Sequence, residues 1–181
     1  RRGSVASIYK GGGEWRERVT GTPGPRESVA IGTASPDDRL DALRVLDAAM
    51  LETDPETVAA AIETDDALVA RFKRTDAVVG ALVATRPESA RLHVDAVAVR
   101  RARRGRGSGS ALVAAAVERA ERDAAVEVVT AAFDAKLRGF YTDLGFTAVP
   151  DTETQEAKRL RGRRPVSAAG ADDPESGERR R

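Results

Sequence analysis

Three groups of residues in this chain have the types and spacing to do chemistry. The first is the run Gly105-Arg106-Gly107-Ser108-Gly109-Ser110. A loop of this kind, opening a helix, turns backbone N–H groups toward a ligand at the positive end of the helix dipole, and so suits an anion such as a phosphate. Glycine is required where the main chain comes close to that ligand or takes a positive φ. The second is His93 with Asp95, two apart on a strand-like segment, which places both on one sheet face. An imidazole of ordinary pKa, about 6.5, beside a carboxylate is suited to removing a proton. The third is Tyr141, in the segment Phe140-Tyr141-Thr142-Asp143-Leu144-Gly145-Phe146, a phenol suited to giving a proton. The plainer alternatives are a turn with nothing bound, a surface ion pair and a core tyrosine.

These groups need a scaffold, and the chain's punctuation predicts one. Val29 to Thr33 reads as a strand, and Ser35-Pro36-Asp37-Asp38 as a helix start with proline at the first position and acids in the first turn. The helix that follows carries Leu40, Leu43, Leu46 and Met50 on one expected face, and Asp54-Pro55-Glu56 opens a second helix with Val58, Ala61 and Ile62. Leu68 to Lys73, Ala77 to Thr85 and Arg91 to Val99 read as hairpin-linked antiparallel strands, with turns at Thr75-Asp76 and Pro87-Glu88-Ser89. After the glycine-rich loop, Val113, Ala116, Val117 and Ala120 mark a helix face, and Val126 to Phe133 is a β-branched run. Strand, loop, helix and strand make a βαβ unit whose strands are parallel. Asp134 to Leu144 reads as a short helix ended by Gly145, Phe146 to Val149 as a strand, and Lys158 to Leu160 as a weak last one. Residues 1–27, with Gly11-Gly12-Gly13 and Pro23-Gly24-Pro25, read as a flexible extension, 28–161 as the folded domain, and 162–181 as a disordered tail.

Composition narrows the chemistry. The chain has 181 residues, no cysteine and one histidine, which rules out thiolate metal sites, a disulfide scaffold and a cysteine nucleophile. No apolar run approaches the ~20 residues of a membrane span. The N-terminal segment lacks the apolar stretch of a secretory signal, so a cytoplasmic location is expected. Net charge is +1, while residues 31–150 hold 16 basic and 19 acidic groups, a mild acidity that favours cationic ligands over acidic ones. Five arginines lie between Arg100 and Arg106, but aromatic residues make up only 4% of the chain, so a nucleic-acid stacking surface is poorly supported.

Among phosphate-binding loops, a Walker sequence fails for want of its lysine after Ser110. A dinucleotide fingerprint lacks its third glycine, which is Ser110, and wants an acid about 20 residues on, whereas Asp134 lies too far away and three antiparallel strands come first. Arg104-x-x-Gly107-x-Gly109, between the strand Val97-Ala98-Val99 and an amphipathic helix, instead resembles the coenzyme A pyrophosphate loop of the GNAT superfamily of N-acetyltransferases. The order of elements over residues 29–160 is similar too, and Tyr141 to Phe146 looks like the family's Tyr-x-x-x-Gly-Phe segment. Where the family often has Asn and Ala, this chain has Asp134 and Leu137, and no ligand role is carried to Asp134.

The resemblance implies an α/β (α+β) fold: a mixed, mostly antiparallel sheet of six to seven strands, a parallel pair at the coenzyme site and helices on both faces. It implies acetyl-coenzyme A as co-substrate, without a metal, and direct acetyl transfer to an amine of a small molecule or peptide. The coenzyme would be held by Arg104, Gly105, Arg106, Gly107, Ser108, Gly109 and Ser110, with the backbone of Val97, Ala98 and Val99 on the acetyl group and pantetheine. His93 or Asp95 would be the base, directly or through water, and Tyr141 the acid. A non-catalytic acyl-coenzyme A sensor would keep the loop without needing those three side chains. A membrane partner is not expected, and a homodimer is left open.

Overall fold

The computed structural model describes residues 28–151 and 158–167. β1 (Val29–Thr33) leads through a 3-10 turn, Pro36–Asp38, into α1 (Arg39–Asp47), and α2 (Pro55–Glu63) follows. The helix start is held locally: the Asp38 carboxylate accepts from the Ser35 N–H at 2.8 Å and the Ser35 hydroxyl at 2.9 Å. The same carboxylate is ion-paired with Arg71 of the next strand, which ties helix to sheet. β2 (Ala67–Phe72), β3 (Ala77–Glu88) and β4 (Arg91–Val99) form the antiparallel meander. β3 runs on through Pro87 and Glu88, so the chain turns at Ser89-Ala90, later than the proline suggested.

α3 (Ser108–Arg122) crosses to β5 (Val128–Asp134), which pairs parallel with β4, and then come α4 (Arg138–Asp143), β6 (Thr147–Pro150) and β7 (Arg159–Pro165). The seven strands are ordered β1-β2-β3-β4-β5-β7-β6, with β4 and β5 the parallel pair. Helices α1 and α2 bury Val45, Leu46, Val58 and Ile62 on one face of the sheet, against Val69, Val83, Ala96 and Ala98. On the other face Leu112, Val113, Ala116 and Val117 of α3 and Tyr141 of α4 pack with Leu82, Val94, Val129 and Phe133. The expected mixed sheet with helices on both faces is present.

Two local expectations are corrected. The buried face of α1 is Ala42, Val45 and Leu46, whereas Leu40 is 58% and Met50 91% exposed. The helix ends at Asp47, so the periodicity that joined Met50 to it does not continue that far. The second correction concerns the tail, whose proposed start at 162 falls inside β7. Pro165 pairs with Val128, Gly162 is buried between β5 and β6, and Val166 reaches the core. Arg-Gly-Arg-Arg-Pro looks like solvent-exposed sequence because Arg161 and Arg163 fill one face, while the other holds a glycine and Arg164, which reaches Leu144 O and Glu121. Residues 1–27 and 168–181 lie outside the described residues.

A Cβ on Gly162 would stand 2.7 Å from Phe133 Cε1 and 3.3 Å from Phe146 Cδ1. Gly162→Ala is therefore expected to destabilise the domain by ~1–3 kcal/mol through overpacking, read as a fall of several degrees in Tm. An unchanged Tm would show that β7 is not packed in this way.

Candidate active site

The site begins where the sheet divides. β4 and β5 pair over only Arg91 to Val94 with Val128 to Ala131. Val83 of β3 faces Ala96 and Ala84 faces Val94, leaving Asp95 in a bulge. The faces of β4 exchange there: Val94, Val97 and Val99 pack on the α3 side, Ala96 and Ala98 under α1 and α2. Beyond the bulge β4 stays with β3 while β5 follows β7, and a gap opens between the parallel strands. The Arg100 N–H donates to Val79 O at 2.8 Å. By the alternation of an antiparallel ladder, Val97 and Val99 then turn their N–H and C=O groups into the gap, while those of Ala98 point to β3. Of the three expected backbone ligands, Ala98 is thus engaged elsewhere.

The glycine-rich loop ends at the mouth of this gap. Gly105 and Gly107 take φ values of 71° and 83°, in the left-handed region that side chains disfavour. Gly107 is the N-cap of α3 and supplies no side-chain cap. The first intrahelical bond is from the Ala111 N–H to Gly107 O, at 2.9 Å, so the N–H groups of Ser108, Gly109 and Ser110 have no partner within the helix. The arginine run is mostly spent on shaping the loop: Arg100 Nε donates to Val78 O at 2.8 Å, Arg104 Nε to Val99 O at 3.0 Å, and Arg103 lies 3.8 Å over the Phe72 ring. Arg101 and Arg106 make no such contact among the described residues.

Tyr141 lies on the α3 side of the gap. Its ring stacks on Phe133 of β5 at 4.0 Å and meets Phe140 and Phe146 edge-on at 5.0 and 5.4 Å. Phe140 also borders the first turn of α3, 3.8 Å from where a Cβ on Gly109 would lie, so the loop and the tyrosine share one neighbour. The phenol has no hydrogen-bond partner among the described residues, and its oxygen is not sealed from solvent. Burial pushes its pKa up to about 12, which keeps it protonated through the working range.

His93 faces the opposite side of the sheet, in register with Thr130 of β5, whose Oγ1 lies 2.8 Å from Nδ1. Burial holds the imidazole pKa below its ordinary value; Asp95 opposes this, and the charges of Arg91 and Arg161 reinforce it. The bulge separates His93 from Asp95 in the strand pattern but leaves the carboxylate close enough to act on the ring. Asp134 accepts from the Lys136 N–H at 2.9 Å and caps the following turn, as befits a residue given no ligand role. Sequence reasoning missed Thr130, the one polar residue between Val129 and Ala131, and the aromatic ring set that places Tyr141.

A helix start without a cap, set beside a gap in a mixed sheet, is the architecture of the N-acetyltransferase fold. Similar folds are those of Ard1 from Thermoplasma volcanium (19% identity, TM-score 0.65, covering 77% of this chain and 98% of that one) and Arabidopsis thaliana Naa50 in complex with the bisubstrate analogue CoA-Ac-MVNAL (17%, 0.61, 76% and 98%). The ribosomal-protein-S18-alanine N-acetyltransferase from Escherichia coli is a third (15%, 0.62, 80% and 97%). Residues 37–146 match the model of the Acetyltransferase (GNAT) family, and the chain belongs to that family. No curated protein matches it.

Proposed function

We propose that this chain transfers an acetyl group from acetyl-coenzyme A directly to an amine, within a folded unit that runs from about residue 28 through β7. The observation that carries the reading is the placement of a helix start without a side-chain cap and a phenol without a partner among the described residues on one side of the divided sheet, with an imidazole on the other. The coenzyme supplies an acetyl thioester; the chain does the rest. Ser108, Gly109 and Ser110 direct their N–H groups at the pyrophosphate, with Arg106 free to add charge and Arg104 bracing the loop. Val97 and Val99 direct N–H groups into the gap, where negative charge gathers on the carbonyl oxygen as nitrogen attacks. His93, whose Nδ1 lies 2.8 Å from Thr130 Oγ1, takes the proton of the acceptor nitrogen at Nε2, which requires the tautomer with its proton on Nδ1. Tyr141 gives its proton to the sulfur as the C–S bond breaks, and solvent restores it.

Among the similar proteins, one is a ribosomal-protein-S18-alanine N-acetyltransferase and another holds the bisubstrate analogue CoA-Ac-MVNAL, which supports an amine acceptor here and leaves its kind to the local charge. A cytoplasmic setting fits this chemistry. The test is isothermal titration with acetyl-coenzyme A, followed by thiol release with a panel of amines. Tight binding without turnover on any amine would favour the sensor.

The pH dependence has a defined sign. Because burial depresses the His93 pKa, the base is already neutral at pH 7, and kcat/KM should fall only below about 6.5, the value of a free imidazole. The acid limb should vanish in His93→Gln, with a loss of rate. A limb centred at or above 7 would remove His93 as the base.

A further inference from the structure

α1 and α2 cover β2, β3 and β4 on their side of the sheet, and the same face of β5, β7 and β6 carries no described helix. Its residues follow from the register. Thr130 stands between His93 of β4 and Arg163 of β7, and Ala132 faces Arg161 while Asp134 faces Arg159. Three arginines therefore alternate along one face of β7, with Leu160 and Gly162 between them turned to the core.

The acids nearby are mostly committed. Glu88 is ion-paired with Arg91, Asp134 lies 3.8 Å from Lys136, and Asp151 lies 3.3 Å from Arg161. Arg163 is exposed, and neither it nor Arg159 has an ion pair or side-chain hydrogen bond among the described residues. Asp95, beside the base, is the acid on β4 without a partner among the described residues. With the paired groups Arg91, Asp134 and Arg161 set aside, charge is ordered across the face: Asp95 and the base on β4, neutral Thr130 and Ala132 on β5, Arg159 and Arg163 on β7. Strands lie about 4.8 Å apart, so β4 and β7 are about 10 Å apart, a span that the arginine side chains shorten from one end. Arg161 is close enough for its charge to act on the His93 ring.

We infer that the acceptor is a free amino acid, held as a zwitterion with its ammonium group at Asp95 and His93 and its carboxylate on Arg163, which stands across Thr130 from His93. This rests on the acetyltransferase reading above. It departs from the preference for cationic amines that the domain's net charge suggests, because a bound ligand responds to the groups it faces rather than to the sum over the domain. An acidic side chain adds a second carboxylate for the row of arginines, so aspartate and glutamate should lead, neutral amino acids follow, and lysine trail.

The test is thiol release from acetyl-coenzyme A with glutamate, alanine, lysine, alanine amide, spermidine and a short peptide amide. Alanine should exceed alanine amide at least tenfold in kcat/KM, and glutamate should exceed alanine. Arg163→Gln should raise the amino-acid KM about tenfold, while kcat and the affinity for acetyl-coenzyme A stay as in the parent; Arg163→Lys should recover part of the loss. Preference for the amide, the peptide or spermidine overturns the inference alone, as does an unchanged KM in Arg163→Gln. If acetyl-coenzyme A binds and no amine reacts, or if it does not bind, the acetyltransferase reading falls and this inference falls with it.

Discussion

Tyr141→Phe is expected to lower kcat by ~10²–10⁴ while leaving the fold and the affinity for acetyl-coenzyme A nearly as they were. The substitution keeps the ring that stacks on Phe133 and meets Phe140 and Phe146, and it deletes only the proton. A tyrosine kept for structure would have its hydroxyl bonded, and losing it would cost about 0.5–1.5 kcal/mol. Here the hydroxyl has no partner among the described residues, so nothing is orphaned by its removal. Its pKa of about 12 also means that an alkaline fall in rate below pH 10 would come from another group. The measurement is kcat at saturating acetyl-coenzyme A beside a thermal melt. A variant as fast as the parent would remove Tyr141 from the chemistry.

The second large effect is at the phosphate cradle. Gly107→Val should abolish measurable binding of acetyl-coenzyme A, at least a hundredfold loss by calorimetry. Gly107 caps α3 at φ 83°, where a β-branched residue is strained, and its side chain would crowd the three N–H groups that face the ligand. Strain alone costs stability, so a matched control is needed. Gly145 has φ 84° at the end of α4, and a Cβ there would lie 3.5 Å from the Arg164 side chain. Gly145→Val should lower Tm comparably and bind the coenzyme normally per folded molecule. Equal affinity in both variants would move the phosphate site elsewhere.

The parts of this architecture that were legible in sequence are those where one signal had one cause. Val113, Ala116, Val117 and Ala120 are all buried on α3 as their spacing required, and the loop before them ends in the glycine-capped helix start that its composition implied. The parallel pairing of β4 and β5 followed from the helix that connects them. Of β7 only the start was legible, as a weak strand over Lys158 to Leu160; the rest was hidden because a strand lying on an open face needs few apolar residues, and because Gly162 packs through its missing side chain, which leaves no mark in a hydrophobic pattern. The α1 face was legible at Leu43 and Leu46, which do pack on the sheet side, and was drawn too far at Leu40 and Met50 because size outweighed the smaller Ala42 and Val45 that touch the sheet. The bulge at Asp95 is a property of pairing rather than of β4 itself, so the strict alternation of Leu92 to Val99 concealed it.

The four-residue pairing of β4 with β5 has a consequence for how the molecule holds together. β2 to β4 are linked by hairpins, with β1 returning alongside β2 after the two helices, and β5, β7 and β6 form a second ladder of their own. Between them runs a narrow seam, bridged on one side by α3. Few backbone hydrogen bonds join the two ladders, so the seam is where their amides can open to exchange independently of each other. A ligand lodged in the gap acts there as a stitch, so that occupancy stiffens the whole sheet even though the contacts themselves are confined to its middle.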